Sequence, residues 1–208
     1  MATWQLIECA SRTLLRLIEA QLASVLPGNT VDVKLATPHA FSTLKNVTRS
    51  TISVFLYQFS EHTELRNSPQ QRLADGTFRR QPLVLELSYL ITTWGARGQD
   101  PAANDTAAAL EEHKLFGIVL QGLYDHAEVG RAELFEDPTK PAVWGERDNL
   151  QIVLQALPIE DLYRIWDASE LPYQLSATYR VRVLGLESSE VLRAPRVVDA
   201  ALRIGRVS

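Results

Sequence analysis

Cysteine occurs once in these 208 residues, at Cys9. No disulfide can form within the chain, and a structural zinc held by several thiolates is excluded. A reducing cytosol fits this usage. Apolar residues never run for the roughly 18 positions that a membrane-spanning helix needs. Near the N-terminus, Glu8, Arg12, Arg16 and Glu19 interrupt the apolar residues, so there is no signal-peptide core. Basic excess is also missing: 21 Lys and Arg face 25 Asp and Glu, a net charge of −4, which lacks the global sign of a nucleic-acid binder. The four histidines, His39, His62, His113 and His126, stand at no metal-ligand spacing. A GxSxG elbow and a phosphate-binding lysine loop are absent, and Gly95 and Gly98 in WGARG do not make a dinucleotide fingerprint. No internal repeat of 20 to 50 residues is found. No metal or cofactor is therefore expected, and no catalytic pair can be selected.

What is present is a hydrophobic fraction of 46%, enough for one sizeable core. Residues 4–26 predict an amphipathic helix: Ile7, Ala10, Leu14, Leu17, Ile18 and Val25 recur near the 3.6 period, and Pro27-Gly28-Asn29 ends it. Thr30 to Ala36 alternates as a half-exposed strand. Thr51 to Phe59 is apolar on both faces, which predicts a central strand covered on both sides. Glu61 to Arg80 is polar and predicts a mobile loop or flap. Pro82 to Trp94 predicts a long strand with Leu83, Leu85, Leu87, Tyr89 and Ile91 on one face.

Gly95 to Asn104 reads as a loop, with Asn104 or Asp105 capping a helix that runs to about His126. The stripe of that helix is expected at Ala109, Phe116, Val119, Leu120, Leu123 and Tyr124. Val129 to Glu146 reads as loop, Leu150 to Leu157 as a short strand, and Pro158 opens a two-turn helix that buries Leu162, Ile165 and Trp166. The last strand, within Leu171 to Ser188, sets Tyr173, Leu175, Ala177, Tyr179, Val181 and Val183 against Gln174, Ser176, Thr178, Arg180 and Arg182. One face is apolar and packed, the other polar and wet. Such interleaving argues for an α+β or α/β layer.

Several residues invite a functional reading. Cys9 has no evident activating base and reads as an inert, partly buried thiol. His113 and His126 flank the apolar stripe of their helix as boundary residues. Trp166 reads as core; Trp94 and Trp144 read either as exposed anchors or as partly buried residues. After Ser188 the chain carries Val191, Arg193, Arg196, Val197, Val198, Leu202, Arg203 and Ile204, more apolar than a frayed end. This segment either docks on its own domain or reaches a neighbouring subunit. The polar face of Gln174, Ser176, Thr178, Arg180 and Arg182 meets a partner, lines a lumen, or faces solvent.

Tyr57-Gln58, Leu65-Arg66-Asn67, Pro82-Leu83, Tyr89-Leu90, Leu115-Phe116-Gly117, Leu162 to Trp166 and Tyr173 to Ser176 occur in that order. Together they resemble the cap, or tail-terminator, proteins of contractile injection systems of the antifeeding prophage and Photorhabdus virulence cassette type. Gly95 to Asn104 and Arg131 to Asn149 depart from the family pattern.

The resemblance implies a tail-terminator-like α+β fold, a mixed and mostly antiparallel sheet flanked by helices. It implies a body over residues 1–188 and a C-terminal arm over residues 189–208. It implies a structural protein and no enzyme: a homohexameric ring on the tube end distal to the baseplate, ending tube and sheath polymerisation. Its partners would be further copies, the inner tube protein and the sheath protein, with no nucleic acid and no membrane insertion. The arm residues named above would meet sheath or a neighbouring subunit, and the polar strand face would meet tube or lumen. Assembly would be cytoplasmic, into a particle that is released or membrane-associated. The alternatives are a terminator at a phage head-to-tail junction and a small cytosolic enzyme with an unrecognised site.

Overall fold

The computed structural model describes residues 4–28, 31–41, 49–62, 71–72, 77–79, 82–96, 101–146, 148–186 and 191–192. In chain order the elements are α1 (Leu6–Val25), β1 (Asp32–Leu35), a 3₁₀ turn (Pro38–Phe41), β2 (Thr51–Glu61), β3 (Gln71–Arg72), β4 (Phe78–Arg79) and β5 (Leu83–Trp94). Then follow α2 (Pro101–Asp125), β6 (Glu128–Val129), β7 (Leu150–Gln155), α3 (Ile159–Asp167), β8 (Ser176–Leu186) and β9 (Val191–Leu192). Six strands form one sheet in the order β1-β2-β5-β8-β7-β6. Only β1 and β2 run parallel; the other neighbours are antiparallel. The fold is α+β. A second small sheet, β3-β4-β9, pairs Gln71–Arg72, Phe78–Arg79 and Val191–Leu192; the rest of the expected loop or flap lies largely outside the described residues.

The inner face of the sheet is dry. Ile52, Val54, Leu85, Leu87, Tyr89, Ile91, Leu150, Ile152, Ala177, Tyr179 and Val181 share one cluster with residues of α1 and α2. Leu85, Leu87, Tyr89 and Ile91 alternate as the sequence predicts. In α1 the buried stripe is Leu6, Cys9, Ala10, Thr13, Leu14, Leu17, Ile18 and Leu22. Val25 lies seven residues beyond Ile18, on the same side of the helix, but as the last residue of α1 it is exposed. Gly28 takes φ +81°, the left-handed conformation that lets the chain turn back after Pro27.

Tyr89 reaches across this interface to α1. Ser11 Oγ donates to the Ile7 carbonyl at 2.9 Å, so the Tyr89 hydroxyl, 2.8 Å away, donates to Ser11. Burial pushes the Tyr89 phenol up to about 12.

Three expectations need correction. α2 begins at Pro101, where a missing N–H costs nothing, rather than behind a cap at Asn104 or Asp105. Its buried face is Ala108, Leu115, Ile118, Val119, Gly122 and Leu123, while Tyr124 is 82% exposed. Gly122 explains the rotation: a Cβ there would lie 2.5 Å from Gln21 Cγ, so α1 and α2 meet where a side chain is missing. Lastly, β2 is fully buried only over Thr51–Val54; Phe55, Leu56 and Tyr57 are half-buried, and Gln58–Ser60 are exposed. The four residues of β1 pair with that stretch and no further, and Phe59 is 66% exposed.

Of the stretch Val129 to Glu146, expected as loop, Val129 belongs to β6 and the rest contains no helix or strand, yet it packs into the core. Leu134, Val143 and Trp144 are buried. Thr13 Oγ1 accepts the Phe135 amide at 2.9 Å, and Trp144 Nε1 donates to the Phe135 carbonyl at 2.8 Å. The Arg12 and Arg16 guanidiniums stand 5.2 and 4.5 Å from the Phe135 ring centre, within cation–π range. Glu136 accepts from Arg131 and from the Val143 amide, which holds its carboxyl below the ordinary range. The segment is fixed by single polar contacts rather than by a repeating pattern.

The outer face of the sheet carries a smaller cluster. Leu90 and Trp94 of β5 meet Leu162 and Trp166 of α3, with Ile165 packed beside them. Trp94 and Trp166 cross edge to face at 6.0 Å.

Candidate interaction surfaces

The outer face divides along its length. Beneath α3 lies a floor of hydroxyls that are buried despite their polarity. Trp94 Nε1 donates to Ser53 Oγ at 3.0 Å, and Thr92 Oγ1 donates to Ser176 Oγ at 3.2 Å. Ser176 Oγ in turn donates to the Gln174 carbonyl at 2.7 Å, and Thr178 Oγ1 donates to the Gln155 carbonyl. Each hydroxyl has a partner, which is the condition for burying it.

Thr178 is therefore 4% exposed, not on a wet face as its place in the alternation suggests. It pairs across the sheet with Leu90, which α3 covers. Gln174 and Ser176 are half-buried.

Past the end of α3 the same face opens. Arg180 and Arg182 of β8 flank Glu86 of β5, with Arg180 Nε 3.8 Å and Arg182 Nη2 3.4 Å from its two oxygens. His62 Nε2 approaches Glu86 at 3.7 Å from the end of β2. Arg182 also donates to Gln151 of β7 at 3.3 Å. One carboxylate between two guanidiniums leaves a cationic surface, held in register by three adjacent strands. Of the five strand residues expected to share a polar face, the structure brings Arg180 and Arg182 together beside Glu86. Val191 lies in β9, whose backbone pairs with β4. Arg193, Arg196, Val197, Val198, Leu202, Arg203 and Ile204 lie outside the described residues, as does the 188/189 boundary.

The two sheet edges differ as well. At one end β1 is short, and its Asp32 bridges Lys34 at 2.8 Å and Arg49 at 4.0 Å. At the other end β6 covers only Gln151 and Leu150 of β7. The Ile152 amide bonds to the Ala127 carbonyl at 2.7 Å. Beyond it, no strand among the described residues pairs with Val153–Gln155 on the outer side. Val153 and Leu154 are each 57% exposed there. A groove lined by Leu120, Leu123, Tyr124, Ile152, Leu154 and Tyr179 runs beside this open edge. Sequence patterning missed it, because it arises from the rotation of α2 and the shortness of β6.

Other expected candidates take structural places. Trp94 and Trp144 are both buried, so neither is an exposed anchor, whereas Trp4 is 77% exposed. Cys9 is buried, and burial raises its thiol above the ordinary range. His126 Nδ1 lies 2.9 Å from the Gly122 carbonyl at the end of α2, and His113 is exposed. Among the described residues no group of three or more His, Cys, Asp or Glu is placed to hold a metal. No helix among them is long and apolar enough to cross a membrane.

The main sheet thus carries α1 and α2 on one face and α3 on the other. The fold is similar to the sheath/tube terminator of an extracellular contractile injection system, PVC, in its extended state. That likeness has TM-score 0.58 and 18% identity, over 100% of this chain and 67% of that one. It is also similar to the tube-terminating cap of the anti-feeding prophage, with TM-score 0.54 and 17% identity, over 91% of this chain and 59% of that one. The family described as the Pvc16 N-terminal domain matches residues 10–200, and the chain belongs to it. No curated protein matches the sequence.

Proposed function

We propose that this chain caps a contractile injection particle. Six copies close into a ring on the tube end distal to the baseplate, stop tube and sheath growth, and tie the last sheath layer to the tube. The role is structural, without turnover. The observation that carries this reading is the family match over residues 10–200, joined to a fold likeness to two terminators that spans nearly the whole chain. The two unlike sheet edges support the ring, since a cyclic interface joins two different surfaces of the same subunit.

In this reading residues 1–188 form the body and 189–208 an arm. Gln174, Ser176, Arg180 and Arg182 face the tube, over a floor to which Thr178 contributes. Val191, Arg193, Arg196, Val197, Val198, Leu202, Arg203 and Ile204 meet sheath or a neighbouring copy. Assembly takes place in the cytoplasm, and the particle is the destination.

Electron microscopy of particles made without the chain tests the proposal. Tubes of uncontrolled length, unsheathed at the end away from the baseplate, are expected. Particles of normal length with blunt, capped ends would refute it. Light scattering of the purified protein, alone and with tubes, checks for six copies per ring.

A further inference from the structure

The geometry points to the open edge of β7 and its groove as the acceptor for segment 193–208 of a second copy, a reading that rests on the ring proposed above. By alternation, the Leu154 amide and carbonyl lie on the same free side of β7 as the bonded Ile152 amide. They offer a short extended segment one more strand position, in the manner of strand addition. The groove beside them takes alternate apolar side chains of such a strand. An exposed apolar edge of this kind is otherwise a hazard that folded chains cover.

Charge selects the occupant. Tyr124 and Ala127 line the groove, and the residues beside them in the chain, Asp125 and Glu128, are exposed acids. Segment 193–208 carries four arginines and one aspartate, interleaved with Val197, Val198, Leu202 and Ile204. It is a basic apolar stretch in a chain whose net charge is −4.

Topology favours a neighbour over the same copy. The chain leaves β8 at Leu186, whereas the open edge lies beside Thr178 and Tyr179. Those positions are eight residues apart along β8, about 26 Å. β9 then ties Val191 and Leu192 to β4 rather than to the main sheet.

Disulfide trapping tests this on full-length protein. Cys9 is 3% exposed and stays in place. Two differently tagged copies, one with Tyr124→Cys and one with Val198→Cys, are mixed, assembled and oxidised. A mixed dimer is expected, about tenfold or more above the control pair Ala132→Cys and Val198→Cys, because a seated segment holds its thiol at high effective concentration. Leu154→Arg, with unchanged far-UV circular dichroism, should reduce that dimer to the control level. A bond formed within one copy of the doubly substituted chain would overturn the neighbour assignment. Equal yield from the control pair, or no bond in a protein that scatters as a hexamer, would overturn the acceptor site and leave the ring standing. A monomer on and off tubes, with no bond, would overturn both.

Discussion

The two faces of the main sheet are built from the same strands and reach opposite solutions. On the inner face β5 and β8 present Leu87, Tyr89, Ile91, Tyr179 and Val181 to two long helices, and every one is buried. On the outer face the same strands present Glu86, Ser88, Thr92, Arg180 and Arg182, and a single nine-residue helix covers only one end. Stability resides on the first face, where apolar area leaves water. The second keeps charged groups in defined positions, because the first face fixes the strands beneath them.

The sharpest way to break this comparison is to truncate one apolar side chain on each side. Leu87→Ala, at a fully buried inner position, should cost about 2–5 kcal/mol in chemical denaturation, whereas Val153→Ala on the outer face should stay within about 0.5 kcal/mol. Equal losses would show that the outer face also carries the fold. Next in size is Gly122→Ala. Its Cβ would stand 2.5 Å from Gln21 Cγ and 2.9 Å from Gln21 Cβ, so α1 and α2 must part, at about 1–3 kcal/mol. An unchanged midpoint would mean that the helices slide freely over the sheet. Tyr89→Phe removes the donor to Ser11 while Ser11 keeps its own bond to Ile7, so a loss of about 1 kcal/mol is expected.

Smaller effects sharpen the contrast. The Glu136 carboxyl is lowered from its ordinary 4.5, so its contribution is full above that value and is lost as pH falls through the lowered one. Denaturation followed across that acid range should show a slope that Glu136→Gln reduces, the remainder coming from Asp32 and Asp137, whose carboxyls are also lowered. The smallest effect on stability is expected for Arg180→Ala, below about 1 kcal/mol, because the pair with Glu86 is half-exposed and Arg182 remains beside the carboxylate. Tube-length distributions should nevertheless broaden. Unchanged lengths would remove Arg180 from the tube contact.

Much of the fold was legible because two periods are clean. β5 alternates without a fault from Leu85 to Tyr89, and α1 holds its stripe from Leu6 to Leu22. α2 was legible as a helix but not in its orientation. Leu115 to Tyr124 is apolar nearly all round, so a hydrophobic count selects no face, and the contact that does select it is made by a glycine. Residues 130–149 were opaque for another reason: Thr13, Phe135, Glu136 and Trp144 meet through single hydrogen bonds that leave no pattern along the chain. On the outer face Arg180 and Arg182 were found because α3 stops short of them. Thr178 was misjudged because hydroxyls bonded to one another under a helix look, in sequence, like hydroxyls in water.

The charged lock on β1 gives the sheet a direction. Asp32, with Lys34 and Arg49, closes that border to pairing, while the far border at Val153–Gln155 stays receptive. Charge on one border alone already lowers the chance that two copies join strand to strand.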